Sequence, residues 1–345
     1  MEPPVVRYAR TDDGFDIAYA VWGSGLPFVW IPGQFSHLEL NIQYQHLEEL
    51  AWSEELSRRF RLVQFDGRGQ GMSSRNITTP QTIESLSKDT QAVVQQLGLD
   101  RYFLLARWTA SHIAIRHAFA HPNQVVALIL ITCAEDNARW PPSLFQGLPA
   151  ENWEVFLLSQ FPRAYTLDQT RQSIERVNRV ATPEDTLARA KGYAVSNVED
   201  LLPRLAMPTL VLHPREFRFL SADESIKVAA RIPNARFRYI DGEMVPGDPV
   251  TGIRAIDDFV ASTPELAALI ADAGAPPMTP TTVPLTRRET EVLRLIAKGW
   301  SNQRLADELV ISVRTVERHI TNIYAKLEIH GKAEATAYAL RHHLD

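Results

Sequence analysis

The sequence predicts two domains of different class, an α/β domain followed by a small, all-helical domain. Three observations predict this division. Short apolar runs alternate with helix-period segments early in the chain, a proline-rich stretch without periodicity follows at 273–284, and helical patterns then continue to the end. Alternating strands and helices favour a parallel sheet covered by helices on both faces. The predicted boundaries are 1–272 for the first domain, 273–284 for a linker, and 285–345 for the second domain.

Buried strands are predicted where apolar runs are bounded by Gly, Asp or Pro. They fall at 27–32, 60–65, 102–105, 125–131, 208–213 and 235–240. A mostly helical insertion, rich in aromatics such as Trp140 and Trp153, is predicted at about 135–205. This insertion would form a cap over the sheet, and a last covering helix is predicted at 252–260.

Composition bounds the protein class. The 345 residues are 45% hydrophobic and 22% charged, which is typical of a globular chain. One cysteine, Cys133, excludes a disulfide framework or a multi-cysteine metal site within the chain. No apolar run approaches the ~20 residues that span a bilayer, and Met1 is not followed by a signal-peptide pattern. We therefore expect a cytoplasmic protein that needs no membrane, metal or cofactor.

Capping residues divide the C-terminal region into helices. Thr286 and Glu289 form a capping-box pair that opens a first helix, and Gly299 ends it. Ser301 can cap a second, short helix, and Ser312 can cap a third. Two short helices joined by a tight turn predict a helix-turn-helix, whose second helix enters the major groove of DNA.

The third helix is strongly amphipathic. Its apolar stripe consists of Val316, Ile320, Ile323, Tyr324 and Leu327. The opposite, polar side carries Arg314, Glu317, Arg318, Thr321 and Lys326. From position 280 onward ten Lys or Arg stand against eight Asp or Glu, whereas the whole chain carries a net charge of -5. A slightly basic C-terminal region in an otherwise acidic chain is typical of a domain that binds the phosphates of nucleic acid.

The C-terminal motifs resemble one family over nearly their whole length. The opening L-T-x-R-E, the turn G-x-S-N and the run S-x-R-T-V-x-x-H-x-x-N-I-x-x-K-L are similar to the LuxR-type DNA-binding domain. The resemblance implies that 313–327 is the recognition helix and that a last helix at about 332–342 is a dimer contact. It implies base-facing roles for Glu317, Arg318 and Thr321, phosphate roles for Arg314, Thr315 and Lys326, and a position near the DNA backbone for Ser301 and Asn302.

Residues 7–262 resemble an α/β-hydrolase. The likeness rests on I-P-G-Q at 31–34, on D-G-R-G-Q-G-M-S at 66–73, and on the strand-helix-strand run at 104–130. Active hydrolases carry the nucleophile in G-x-S-x-G, on a sharp turn between a strand and a helix. The corresponding frame is A-R-W-T-A, which places Trp108 at the nucleophile position. Indole cannot attack an acyl carbon.

The other two positions of the catalytic triad are also apolar in this frame. The acid position after the strand at 208–213 falls on Phe217, and the base position after the strand at 235–240 falls on Met244. Nucleophilic catalysis needs a hydroxyl or thiol, a base and an orienting carboxylate. The resemblance therefore implies a hydrolase fold without hydrolase chemistry.

A core with an aromatic cap predicts a cavity for a small, largely apolar ligand. The candidate pocket residues are Gln34, Phe35, His37, Trp108, Thr109, Trp140, Trp153, Phe217 and Met244. Two alternatives remain open: a purely structural or dimerising domain, and a noncanonical hydrolase that uses Ser111 or His112. The expected partners are double-stranded DNA, a small-molecule ligand, a second copy of the chain, and RNA polymerase as a further candidate.

Overall fold

The computed structural model describes residues 5–33, 38, 47–139, 153, 157, 167–243, 245–273, 285, 287–309, 311–327, 329 and 331–341. The chain divides into two compact units, Met1–Met278 and Thr279–Asp345.

The first unit is built on an eight-stranded sheet in the order β1-β2-β4-β3-β5-β6-β7-β8. The antiparallel edge comprises β1 and β2, and all strands from β3 to β8 run parallel. The strands are β1 (Arg7–Arg10), β2 (Asp16–Trp22), β3 (Pro27–Trp30), β4 (Arg61–Phe65), β5 (Tyr102–Arg107), β6 (Val125–Ile131), β7 (Thr209–Pro214) and β8 (Ala235–Ile240). The six predicted strands are confirmed, with shifts of one or two residues at their ends. The two antiparallel strands were not predicted.

Helices accompany the sheet along the first unit. They are α1 (Leu47–Arg59), α2 (Ile83–Gln96), α3 (Ser111–Ala120), α4 (Leu167–Val180), α5 (Pro183–Ala194), α6 (Ala222–Arg231), α7 (Pro249–Ala261) and α8 (Pro264–Asp272). The predicted covering helix at 252–260 is confirmed as α7, which begins at an Asp248 cap whose carboxylate accepts the N–H of Thr251.

Side-chain alternation along the central strands separates the two apolar cores. In β5, Leu104 and Ala106 belong to one core, whereas Phe103 and Leu105 belong to the other. Because successive strand residues point to opposite faces, a strand covered on both faces must be apolar at every position. This explains the uninterrupted run VVALILI in β6, all of which is buried.

The second unit contains four helices, α9 (Arg287–Ala297), α10 (Asn302–Leu309), α11 (Val313–Leu327) and α12 (Lys332–Arg341). Their shared core includes the buried side chains Val292, Leu293, Ile296, Leu305, Ala306 and Leu309. Of the predicted stripe on α11, Val316, Ile320 and Ile323 are buried in this core, and Tyr324 and Leu327 are partly buried against it. Gly299 adopts a φ of 76°, a left-handed conformation that ends α9 as predicted. Thr286 lies outside the described residues.

Candidate ligand site and candidate DNA interface

A sharp turn connects β5 to α3. Arg107 is extended, with φ -134° and ψ 153°, and Trp108 follows with a φ of 56°. A single 3-10 turn over Trp108–Ala110 leads into α3 at Ser111. A bulky side chain in the left-handed region is strained, and such strain is concentrated at functional sites. The predicted turn is therefore present, with Trp108 at its strained residue.

An aromatic cluster surrounds this turn. The ring centroid of Trp108 lies 5.8 Å from that of Phe217 and 6.1 Å from that of Phe219. Phe217 also contacts Phe219 at 5.6 Å and meets the ring of His213 edge-on at 5.9 Å. The structure thus brings Trp108 and Phe217 together as predicted. Phe219 was not predicted, although it stands only two residues after Phe217 in F-R-F.

Of the remaining predicted pocket residues, only Thr109 and Trp153 lie within the described part of the chain. Gln34, Phe35, His37, Trp140 and Met244 lie outside the described residues. Thr109 is buried in the first turn after Trp108.

Trp153 belongs to a different cluster from Trp108. It packs against Leu157, Val177 and Val180, and its indole N–H donates to Oδ1 of Asn178 at 2.6 Å. The indole therefore lies against the apolar side of α4, and the role of Trp153 in a ligand pocket stays a prediction.

Ser111 and His112, the two alternative catalytic groups, lie next to the turn. Ser111 is fully buried at the start of α3. His112 is also fully buried, with Nε2 3.0 Å from the carbonyl of Ala134 and Nδ1 2.8 Å from Oγ of Ser196. Since a carbonyl only accepts, Nε2 carries the proton and Nδ1 accepts from Ser196. Burial lowers the pKa of His112 to about 4, so the ring is neutral near pH 7.

Cys133 has a buried thiol that is a poor nucleophile. Its side chain is fully buried, and burial raises the pKa of its thiol to about 12. Since only the thiolate is a strong nucleophile, Cys133 has the character of a core residue. Its backbone N–H and carbonyl both bond to Oγ of Ser225.

Arg107 connects the turn to its surroundings, which sequence reasoning did not anticipate. Its guanidinium pairs with Glu49 of α1 at 2.5 Å and donates to the carbonyl of Val245 at 3.3 Å. It also lies over the ring of Trp30, 5.8 Å from the centroid. The residue before Trp108 thereby joins the ends of two strands, a helix and the loop after β8.

The polar face of α11 is the candidate DNA interface. Arg314, Glu317 and Thr321 are exposed, whereas Thr315 and Arg318 are half-buried. The hydroxyl of Thr321 donates to the carbonyl of Glu317 at 3.0 Å, within the helix. The structure therefore places all five on one helix, with the most exposed side chains at positions 314, 317 and 321.

The start of α11 is capped as predicted. Oγ of Ser312 accepts the N–H of Thr315 at 3.1 Å and lies 2.7 Å from the Thr315 hydroxyl. Capping fixes the first turn of the helix, and this turn is the part of a recognition helix that reaches base edges.

The start of α10 is capped in the same way. Oγ of Ser301 accepts the N–H of Arg304 at 3.2 Å. Asn302 follows, and its Oδ1 accepts from Nζ of Lys332 at 2.8 Å. The predicted position of Ser301 at a helix start is confirmed, and Asn302 links α10 to α12.

Lys326 requires a correction. Predicted as an exposed phosphate contact, it is buried, with only 1% of its side chain accessible. Its Nζ donates to Oε2 of Glu289 at 2.6 Å, and that side chain is 3% accessible. A buried ammonium needs a charged partner. Lys326 was predicted on the polar side of the helix, but its ammonium turns inward to pair with Glu289 of α9.

No group of three or more His, Cys, Asp or Glu side chains in the described ranges is arranged to hold a metal ion. No helix in those ranges has the length and apolar character needed to cross a membrane.

Fold and site together define a chain that joins a hydrolase-like domain to a helix-turn-helix domain. Residues 283–339 match the family model described as "Bacterial regulatory proteins, luxR family", and the C-terminal unit is a LuxR-type DNA-binding domain. Residues 37–178 match the model of the Ndr family.

Two curated relatives match a stretch of 60 residues of the chain. The chain is 48% identical over 60 residues to Response regulator protein VraR from Staphylococcus aureus strain Mu3, and equally to that from Staphylococcus saprophyticus. Each match covers 17% of this chain and 29% of the relative. The comparison therefore concerns less than a third of those proteins.

Solved structures resemble the first unit. The enol-lactonase from Burkholderia xenovorans has a TM-score of 0.57 at 18% identity, covering 76% of this chain and all of that chain. A thermophilic esterase from Thermogutta terrifontis has 0.57 at 23% identity, covering 77% and 99%. The meta-cleavage product hydrolase from Pseudomonas fluorescens has 0.58 at 18% identity, covering 75% and 96%. The first unit therefore has an α/β-hydrolase fold.

Proposed function

We propose that the protein is a cytoplasmic transcription regulator whose hydrolase-like domain binds a small, largely apolar ligand without hydrolysing it. The observation that carries this proposal is Trp108, which occupies the strained residue of the strand-to-helix turn in a chain that also has a LuxR-type domain. A hydrolase needs a nucleophile at that residue.

Several contacts support a domain without catalysis. Trp108 and Phe217, at the nucleophile and acid positions, pack against each other. Ser111 is buried inside the helix start, and the neighbouring His112 is neutral with both ring nitrogens engaged. Cys133 is a buried thiol of raised pKa. His112 does contact a hydroxyl, that of Ser196, but both side chains are buried, and burial lowers the pKa of the ring, which makes it a weak base.

The aromatic cluster supports an apolar ligand. Trp108 and Phe219 are only partly buried, so their rings offer apolar surface beside the turn. Ligand sites are lined mainly by hydrophobic and aromatic side chains with few polar groups. A ligand that prefers one state of this domain would shift the population of that state. We infer that such a shift alters DNA binding.

The helix-turn-helix supports DNA as the partner. The exposed Arg314, Glu317 and Thr321 lie along α11, where base and phosphate contacts are made in this motif. Recognition helices of this kind read paired half-sites, so we propose that the protein acts as a homodimer. RNA polymerase remains a candidate partner of the DNA-bound form.

Two assays on the purified full-length chain test the proposal. Hydrolysis of p-nitrophenyl acetate and butyrate should equal the rate without protein. Apolar metabolites should raise the midpoint of thermal unfolding, since a ligand at 100 times its dissociation constant stabilises the fold by about 2.7 kcal/mol. Turnover that disappears in Ser111→Ala would contradict the proposal, and stabilisation by no compound would favour a purely structural domain.

A further inference from the structure

Thr132, at the carboxyl end of β6, is the second strained residue beside the turn. It has a φ of 57°, in the left-handed region that β-branched residues avoid. It directly follows Ile131, whose register partner in β5 is Arg107, the residue before Trp108. Two strained residues, Trp108 and Thr132, therefore stand side by side at the ends of neighbouring parallel strands. Backbone strain of this kind is held in place by the surrounding structure and is concentrated at functional sites.

Three buried side chains in this region have unsatisfied polar atoms. Ser111, Thr132 and Asn137 are each 0% exposed. Within the described part of the chain, Oγ of Ser111, Oγ1 of Thr132, and both Oδ1 and Nδ2 of Asn137 have no hydrogen-bond partner. Buried polar groups in native proteins almost always have one, so four orphaned atoms require an explanation.

Hydrogen bonds place these three residues in one neighbourhood. His112, adjacent to Ser111, reaches the carbonyl of Ala134, two residues beyond Thr132, at 3.0 Å. His112 also lies 2.8 Å from Oγ of Ser196, whose carbonyl accepts the N–H of Asn137 at 3.0 Å. The start of α3, the loop after β6 and the turn at Asn137 thus converge around His112.

We propose that Ser111, Thr132 and Asn137 form a polar subsite for the uncharged head group of a ligand whose apolar part contacts Trp108 and Phe219. This inference rests on the proposed ligand-binding function. A carboxamide fits best, because Asn137 offers both a donor and an acceptor and the two hydroxyls can do either. The class of ligand is therefore an apolar chain or ring with an amide or alcohol group.

A charged head group does not suit this neighbourhood. Burying an ion without a partner is costly, and charged side chains of this region already form ion pairs with one another. Arg107 pairs with Glu49, and Glu135 lies 3.1 Å from Arg231. His112, the ring at the centre of the neighbourhood, is kept neutral by its burial.

Stability measurements on the full-length chain test whether the hydroxyls are unpaired. Thr132→Val keeps the β-branched shape, and hence the strain, while removing the orphaned hydroxyl. Its matched control is Thr209→Val, which removes a buried hydroxyl that donates to the carbonyl of Met207 at 3.1 Å. Ser111→Ala is matched by Ser225→Ala, which removes a buried hydroxyl bonded to Cys133 and His213.

We expect Thr132→Val and Ser111→Ala to unfold at or above the wild-type temperature, and both controls to unfold several degrees lower. Removing an unpaired buried group is neutral or stabilising, whereas removing a bonded one leaves its partner unsatisfied. If Thr132→Val lowers the unfolding temperature as much as Thr209→Val, its hydroxyl is satisfied, for example by a buried water, and the subsite is overturned.

Binding of three shape-matched probes, followed by calorimetry, tests the head group. We expect 4-phenylbutanamide to bind the full-length chain at least tenfold more tightly than pentylbenzene or 4-phenylbutanoate. Asn137→Leu should abolish this preference while retaining the pentylbenzene affinity. The control Asn123→Leu, exposed in the loop at the other end of β6, should behave as wild type.

The outcomes separate this inference from the function on which it rests. Equal binding of amide and hydrocarbon, or a preference that survives Asn137→Leu, overturns the polar subsite and leaves an apolar ligand site standing. Binding of none of the three probes overturns both. Turnover of an ester that stops in Ser111→Ala overturns the domain without catalysis and assigns Ser111 to the reaction instead.

Discussion

Nζ of Lys326 lies 2.6 Å from Oε2 of Glu289, and the two side chains form a buried ion pair that joins α11 to α9 in the helix-turn-helix unit. Removing one partner of such a pair leaves an uncompensated buried charge. The pair therefore fixes the position of the recognition helix on its support, and neither residue is free to reach DNA.

Lys326→Met should destabilise the second unit by about 3–5 kcal/mol, because Glu289 would remain buried without its counter-ion. Hydrogen exchange of the full-length chain, read over residues 287–341, measures this locally. The double variant Lys326→Met/Glu289→Leu should recover part of the loss. Lys298→Met, at an exposed lysine of the same unit, is the control, and equal exchange in Lys326→Met and this control would contradict the prediction.

Arg318 and Arg314 should differ in their effects on DNA binding. Arg318→Ala should relax the sequence preference and cost ~1–3 kcal/mol at the preferred site, as expected for a base contact. Arg314→Ala should weaken binding evenly across sequences and reduce the salt slope by about 1, as expected for a phosphate contact. Anisotropy titrations at several salt concentrations measure both.

Arg294 gives the matched control for these two arginines. It is exposed on α9 and outside the recognition helix. Arg294→Ala should bind DNA as wild type does. If Arg314→Ala and Arg318→Ala also retain wild-type affinity and slope, α11 does not make the proposed contacts.

The first unit should lose stability on acidification. Burial lowers the pKa of His112 to about 4 and that of His117 to about 3, from an ordinary value near 6.5. Between about pH 6.5 and 4 these two histidines bind protons in the unfolded chain but not in the folded chain, so the stability they contribute decreases as the pH falls through this window. The shift of His112 alone corresponds to at most about 3 kcal/mol.

Urea unfolding at pH 7, 6 and 5 measures this dependence. His112→Gln, which removes the titrating ring, should show a smaller loss between pH 7 and 5 than wild type. A wild-type stability that is flat over this range would indicate that the histidines are protonated when folded, contrary to their burial.

Phe217 should be important for the packing around the turn. Phe217→Ala removes a buried ring that contacts Trp108, Phe219 and His213, and should cost about 3–5 kcal/mol. Tyr239→Ala, at an aromatic residue that is 41% exposed, should cost under about 1 kcal/mol. Similar unfolding midpoints for the two variants would show that the aromatic cluster does not stabilise the domain.

The parallel strands were predictable because burial on both faces leaves an uninterrupted apolar run. The helices of the second unit were predictable because burial of one stripe leaves apolar residues at helical spacing. Of the two antiparallel strands, β2 does contain an apolar run, I-A-Y-A-V-W, which was overlooked, whereas β1 carries a weaker pattern. Arg7, Tyr8 and Arg10 in β1 are exposed, so this edge strand lacks the apolar run that marks the others.

The candidate site was predictable in part. The spacing A-R-W-T-A placed Trp108 on the turn, and the structure confirms that position. The inward turn of Lys326 was not predictable, since it depends on Glu289 from another helix. The strain at Thr132 is equally invisible in the sequence, because left-handed backbone at a β-branched residue is imposed by tertiary packing rather than by local preference.

The most direct test of a DNA-binding regulator is selection of duplexes from a random pool by the full-length chain. We predict enrichment of a defined sequence, with two half-sites related by two-fold symmetry and spaced by about one helical turn, and loss of that enrichment in Arg318→Ala. No enrichment above the starting pool, with binding that depends on salt alone, would contradict a sequence-specific regulator.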